Sequence, residues 1–529
     1  MYDILIRDGK IVDGAGNPWF RADLAIAGDK IVALGDLRER EARLVIEAAG
    51  KIVCPGFVDA HSHSDLSIMA NRPALSSLYQ GVVTEIVGSC GLSVAPVSEI
   101  SRPILRRQLR SPDPDPPADW TTMGDCLGRL AGRVGINIGM QVGHGSVRRA
   151  VMGNSARPPT EDDLRALERL TAESLDAGAI GLSFGLEYAP GSDAGAEELR
   201  RLCAVAAGRR KLTSWHVRNR DRRFESAIAE AIEVTHAAGA ALQLSHLSAK
   251  PGSTPRAWNR VMEQVHLARA AGDDIQCDMI PFVAGPGLLS AILPEWAWRG
   301  SISEIQARLR DPATRRRLAD DSDRYWLMFH YRQWDRVVLA TSRAHPDWVG
   351  LSFREIGERA GQDPFEAVFD ILADEGAGME GVWITGFLFS EGDVMEWIAD
   401  PLFSIASDGF TAQADEAWLK VANHPNSFGW TPAVIQKYVN ETRTLRLEEA
   451  IHKMTGLPAA RWGLTDRGFL LPGMAADVLV FDSARFKTRA TYAQPHHYAE
   501  GMEQVIINGQ LALRDGRPTG ALAGRVLAH

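Results

Sequence analysis

The sequence predicts an α/β protein: a TIM (β/α)8 barrel joined to a small β-domain built from both chain ends. Three observations predict it. Short apolar strands alternate with amphipathic helical segments through the middle of the chain, which is the order of a parallel sheet assembled from βα units. Eight such strands can be counted: Phe57–Ala60, Val82–Val87, Ile136–Val142, Ile180–Phe184, Leu212–Trp215, Ala241–Ser245, Ile275–Met279 and Phe403–Ser407. Glycine-punctuated strand patterns stand at both termini.

The N-terminal residues read as strands Tyr2–Ile6, Lys10–Val12, Asp23–Ile26, Lys30–Ala33 and Leu44–Glu47, separated by turns at Asp8-Gly9, Asp13-Gly14 and Ala27-Gly28-Asp29. Strand-like stretches return at Asp477–Asp482 and Gln504–Gly509. Each end alone would leave a face unburied, so residues 1–54 and 465–529 are expected to pair into one β-sandwich, with 55–464 as the barrel. Between the barrel strands, Thr160-Glu161-Asp162-Asp163 is a capped, acidic helix start, and Phe224 to Ala238 keeps a helical apolar stripe. The interval between the seventh and eighth strands is too long for one crossover. Residues 285–350 within it are rich in Trp and Arg and helix-like, and are expected to form an inserted lid. Asp113-Pro114-Asp115-Pro116-Pro117 marks a rigid loop after the second strand, on the active face.

Composition narrows the function classes. The chain has 529 residues, 45% hydrophobic and 24% charged, with a net charge of −9. No basic run is long enough to suggest nucleic acid. No apolar stretch reaches membrane-span length, and the N-terminus lacks the pattern of a secretory signal. Five scattered cysteines argue against a disulfide framework and for a reducing, cytoplasmic setting. The expected partner is a small molecule, and a homo-oligomer is compatible with the sequence.

Strand ends carry the chemistry. In a barrel of this type, residues following the strands face the active site. His61-Ser62-His63 follows the first strand, and positions i and i+2 of a strand point the same way. That step alone is equally a pair of polar loop residues. Four further strand ends supply Cys90, His216, His246 and Asp408. One buried histidine is more often a satisfied core residue than a ligand, but histidines at three strand ends joined by Cys and Asp point to a divalent metal.

This constellation resembles the amidohydrolase superfamily, whose pattern is HxH on strand one, His on strands five and six, and Asp on strand eight. Many members place a bridging lysine on strand four, but Ala179–Tyr188 has none. Cys90 offers a soft thiolate instead, which is similar to the N-acyl-D-amino-acid deacylase (D-aminoacylase) family. Val142–Arg148, Gly181-Leu182-Ser183 with Glu187–Gly191, His216–Asn219, Ser407-Asp408-Gly409 and Lys453–Arg461 carry the same resemblance. It implies a tight Zn²⁺ at Cys90, His216 and His246, and a weaker metal position at His61, His63, Asp408 and bridging Cys90. It further implies that Asp408 is the general base, with Tyr188 as a candidate donor to the oxyanion. Asp59 and Asp65 are either partners of the strand-one histidines or loop acids.

Three expected substrate contacts are missing or moved. Where the family places an arginine after His-Pro, this chain has His424-Pro425-Asn426, and an amide cannot form a charged bidentate clamp. Phe282 stands where a tyrosine is usual, and Lys250 is displaced by two positions. Arg218, Lys250, Phe282, Asn426 and Tyr188 are therefore the substrate-binding candidates, whereas Arg220 is expected to be solvated at the surface. The implied activity is hydrolysis of a C–N amide bond, with a hydrophobic or atypical N-acyl-D-amino acid as substrate. A cyclic-amide hydrolase of the hydantoinase or dihydroorotase kind, or a hydrolase of other uncharged amides or esters, is the alternative. A catalytically silent binding homologue fits less well with a complete ligand set.

Overall fold

The computed structural model describes all residues except 114–115, 299–300, 322–326, 419–423 and 529. Pro114 and Asp115 of the expected proline-rich loop thus lie outside the described residues, as do parts of the expected lid. The eight barrel strands are β1 (Phe57–Asp59), β2 (Val82–Val87), β3 (Asn137–Gly143), β4 (Gly181–Gly185), β5 (Leu212–His216), β6 (Leu242–Leu244), β7 (Ile275–Met279) and β8 (Phe403–Ile405). They form one parallel sheet in sequential order. Almost every residue in them is buried, as expected of strands covered on both faces.

Closure between β1 and β8 occurs just past the strands. The Asp408 N–H donates to the His61 carbonyl at 3.0 Å, and the His63 N–H donates to the Gly409 carbonyl at 2.7 Å. Buried Asp59 reinforces the seam, its Oδ1 accepting from the N–H groups of Ser407 (3.0 Å) and His61 (3.2 Å). Outside the sheet, the helices follow their sequence signals. Glu161–Asp176 begins with a reciprocal capping box between Thr160 and Asp163. Phe224–Ala238 ends at Gly239, whose φ of 64° is the left-handed stop that glycine accommodates.

The two chain ends meet in a nine-stranded sheet. Its junction is the antiparallel pairing of Ile52–Pro55 with Val478–Phe481. Ile6, Leu24, Ile26, Val53, Val478 and Ile506 give this sheet a core separate from that of the barrel. Trp462, Leu464 and Leu527 pack against Val58, Ile86, Ile180 and Leu212 inside the barrel.

Between β7 and β8 the chain forms helices, among them Ile302–Arg310, Phe353–Ala360 and Pro364–Glu375. It also forms a small antiparallel sheet of Ala284–Leu288, Trp383–Phe387 and Val337–Leu339, with Trp383–Phe387 in the middle. Ala284-Gly285-Pro286-Gly287-Leu288 has almost no intrinsic strand preference, and cross-strand pairing overrides that local signal.

One buried network fastens the terminal sheet to the barrel. The Asp477 carboxylate accepts from Arg467, from Asn137 Nδ2 at 3.1 Å and from the Asn508 N–H at 2.7 Å, while Asn508 Nδ2 donates to Asn137 Oδ1 at 2.8 Å. Arg467 and Asp477 are both buried. Removing one partner of a buried pair leaves the other charge uncompensated, at a cost of about 3–5 kcal/mol. Asp477→Ala is therefore expected to lose about that much stability in urea unfolding, and a loss below about 1 kcal/mol would show that the network is not what fastens the two parts.

Candidate functional site

Four of the candidate ligands converge at the carboxyl ends of the strands. The ligand atoms of His61, Cys90, His246 and Asp408 all lie within 4.8 Å of one another. His61 Nε2 is 3.2 Å from Cys90 Sγ, and His246 Nε2 is 3.3 Å from the same sulfur. His63 Nε2 is 3.2 Å from Asp408 Oδ1. His216 stands beside them, its ring centroid 4.5 Å from that of His246. Its Nδ1 is buried without a hydrogen-bond partner, while its Nε2 lies 2.6 Å from Glu187 Oε2. A carboxylate at Nε2 fixes the tautomer that leaves the Nδ1 lone pair free, which is how a histidine is prepared to bind a metal.

The backbone that presents Cys90 is constrained. Cys90 has φ = 54° and is followed by Gly91 at φ = 70°. Asp65 holds this loop by accepting from the N–H groups of Gly88 and Val94, both at 3.2 Å. Tyr188 donates its hydroxyl to the Cys90 carbonyl at 2.8 Å. On the other side is Gly185, the last residue of β4, where a Cβ would come 2.0 Å from the Cys90 carbonyl oxygen.

The charges support one another. Burial opposes ionisation of Cys90, but His61, His246 and His216 outweigh it and hold the thiol well below its ordinary range. Burial likewise opposes ionisation of Asp408, and His246, His61 and His63 reverse that effect. Buried Cys54, on which burial alone acts, has its thiol pushed up, and Cys277 is pushed up by burial and by the nearby acids Asp278 and Asp400. A thiolate, a carboxylate and imidazoles brought together out of water suit a divalent cation of borderline softness.

These groups open into a cavity of about 330 Å³. His63, Cys90, Tyr188, His216, His246, Lys250, Asp408 and Asn426 all line it. Lys250 donates to Glu187 at 2.8 and 2.9 Å. Asn426 Nδ2 donates to the carbonyls of Ser407 and Asp408 at 3.1 and 2.9 Å, so this side chain braces the β8 loop. Two of the substrate-binding candidates are not among the lining residues. Arg218 is clamped by Glu230 and by the carbonyls of Ser192 and Ala194, and Phe282 packs against His424 and Tyr492. Arg220 departs from its expected surface role: it is buried, lines the cavity, and donates to the His246 carbonyl at 2.8 Å and to Ser248 Oγ at 3.2 Å.

A sequence model of the amidohydrolase family matches residues 44–290 and 352–512. The chain belongs to the amidohydrolase family. It is accordingly a metal-dependent hydrolase acting on amides. It is 33% identical over 530 aligned residues to the N-acyl-D-glutamate deacylase of Alcaligenes xylosoxydans xylosoxydans, covering 99% of this chain and 96% of the relative. Among solved structures, a D-aminoacylase with a binuclear metal centre superposes with a TM-score of 0.83 at 28% identity, and both chains are covered in full. The N-acyl-D-glutamate deacylase of Bordetella bronchiseptica, complexed with zinc and a phosphonate inhibitor, gives 0.81 at 29%, again over both whole chains. The resemblance to the D-aminoacylase branch thus extends along the entire amidohydrolase chain.

Two partners of the candidate ligands, Asp278 and Glu187, were given no role from the sequence, and a third, Arg220, was assigned to the surface. Asp278 on β7 lies 3.3 Å from His61 Nδ1 and accepts from the His246 N–H at 2.7 Å. Its signal was a lone acid inside an otherwise buried strand. Glu187 stands at the end of the β4 region, where only a lysine was sought. Arg220 differs from Arg218 by two positions in a loop, and periodicity cannot rank them. Gly185→Ala should push against the Cys90 carbonyl and cost about 1–3 kcal/mol. An unchanged melting temperature in that variant would show that the loop moves aside freely.

Proposed function

We propose that the protein is a zinc-dependent deacylase of N-acyl-D-amino acids bearing a hydrophobic group. The observation that carries this reading is the quartet of His61, Cys90, His246 and Asp408, of which Cys90, His246 and Asp408 line the cavity and His61 is buried behind them. The likeness in length and sequence to N-acyl-D-amino-acid deacylases supports it. Cys90, His216 and His246 would hold the tighter zinc. His61, His63 and Asp408, with Cys90 shared, would offer a second, weaker position.

When bound, zinc would supply Lewis acidity, polarising the amide carbonyl and acidifying water. Asp408, kept ionised by its histidine neighbours, accepts a proton from the attacking water as its oxygen bonds to the amide carbon. The same carboxyl returns that proton to the departing nitrogen when the C–N bond breaks. Tyr188 can turn its O–H from the Cys90 carbonyl towards the oxyanion by rotating about a single bond. Leu66, Leu288, Leu388, Phe389 and Phe410 make much of the cavity wall apolar, which supports a hydrophobic group on the substrate. No helix among the described residues is long and apolar enough to cross a membrane. The five cysteines, all free and buried, support a reducing, cytoplasmic setting.

Two measurements test this reading. Asp408→Asn is expected to lower kcat on N-acetyl-D-methionine by about 10²–10⁴-fold, the usual contribution of a positioned acid–base group. Wild-type activity in that variant would remove Asp408 from the chemistry. Zinc per chain, measured after dialysis, should fall to near zero in Cys90→Ala, whereas His61→Asn should lose only the weaker position. Equal loss in both variants would contradict the division between the two positions.

A further inference from the structure

Arg110 is set apart from the other cations of the cavity. Lys250 and Arg220 share Glu187, and Arg149 donates to the Ala189 carbonyl at 3.2 Å. Arg110 also lines the cavity, yet no acidic side chain among the described residues pairs with its guanidinium. Aromatic rings hold it instead: the Trp383 ring centroid lies 4.3 Å from the guanidinium carbon and that of Phe410 lies 5.8 Å away. Its backbone N–H is anchored on the Leu66 carbonyl at 2.7 Å, which ties the segment to the β1 loop.

A half-buried cation with no counter-ion among the described residues is costly, and ring contacts offset only part of that cost. Burial lowers its pKa to about 10, so the group is still charged at neutral pH. Such an arrangement is balanced when a ligand brings the missing anion. The planar guanidinium fork matches a carboxylate with two parallel hydrogen bonds, and the apolar wall formed by Leu66, Leu288 and Trp383 strengthens that pairing. Asn426, at the position where a clamping arginine was expected, is occupied with the β8 loop carbonyls and supplies no charge.

We propose that Arg110, stacked on Trp383 and Phe410, is the residue that receives a carboxylate of the substrate. The proposal rests on the reading of this cavity as an amide-hydrolase site, and it adds the rim residue that selects anionic substrates. Either half of the substrate can carry such a group: the amino acid through its α-carboxylate, or the acyl chain through a terminal acid.

Zinc-loaded wild type, Arg110→Gln and Arg110→Lys would be compared on two matched pairs. One pair is N-acetyl-D-methionine and its carboxamide. The other is the N-glutaryl and N-pentanoyl derivatives of D-methioninamide. The expected result is that Arg110→Gln lowers the acid-over-neutral ratio of kcat/KM by about 10- to 100-fold in one pair, mainly through KM, as loss of a charge-assisted pair implies. Arg110→Lys should fall in between, since it keeps the charge and loses the fork. The responding pair identifies which half carries the carboxylate. Unchanged ratios in both pairs, in a variant whose circular dichroism and zinc content match wild type, would overturn the proposal. Calorimetric titration with uncleavable, uncharged-backbone analogues in which CH₂ replaces the amide N–H keeps the two readings separable. If wild type cleaves neither pair, the deacylase reading fails, and the acid-over-neutral ratio of Kd in wild type and Arg110→Gln still decides the role of Arg110.

Discussion

Everything in the site depends on how the barrel is closed. The last hydrogen bonds of the parallel sheet are made by the backbone of His61, His63, Asp408 and Gly409, so three of the candidate ligands are presented by the residues that close the barrel. Asp59 sits under this seam and holds the N–H groups of both His61 and Ser407 with one oxygen. A shift of β1 relative to β8 would separate His61 and His63 from Asp408. Closing the fold and assembling the site are therefore a single event, and the rigidity of the sheet is passed directly to the site.

Around that seam, buried carboxylates do the positioning. Asp278 spans from the His61 ring to the His246 backbone, and Asp65 gathers the loop that carries Cys90. Glu187 collects His216, Lys250 and Arg220. Burial opposes ionisation of Glu187, yet its cationic neighbours, Lys250 foremost, keep it ionised. Each of these acids bonds to a group that is itself fixed by a strand, which leaves little freedom for the imidazoles.

The barrel strands were legible because a parallel strand buried on both faces leaves an apolar run, and the candidate ligands because they stand at or within three residues of the ends of such runs. His61, His63, Cys90, His216, His246 and Asp408 all followed from that one geometric rule. Helix starts such as Thr160 were equally local signals. What the sequence hid was set by tertiary pairing. Ala284–Leu288 becomes a strand only because Trp383–Phe387 lies beside it. Loop arginines were harder still: Arg218 turns to Glu230 and Arg220 turns inward, although both carry the same charge two residues apart. Lys250, displaced by two positions in the loop after β6, turns to the Glu187 carboxylate within the protein, a pairing that local sequence does not reveal.

The cavity is built from two kinds of chain with different tolerance for change. Its floor belongs to the barrel strands and is locked by closure, whereas its upper wall comes largely from the sheet between β7 and β8 and from the loop after β2. Trp383 and Leu288 belong to the first of these upper elements, and Arg110 to the second. Insertions and substitutions there leave the β1–β8 seam untouched. A gene of this design can therefore drift between substrates by rewriting its overhang while inheriting its reaction centre intact, and kinship among such proteins will be a better guide to what bond they break than to which molecule they break it in.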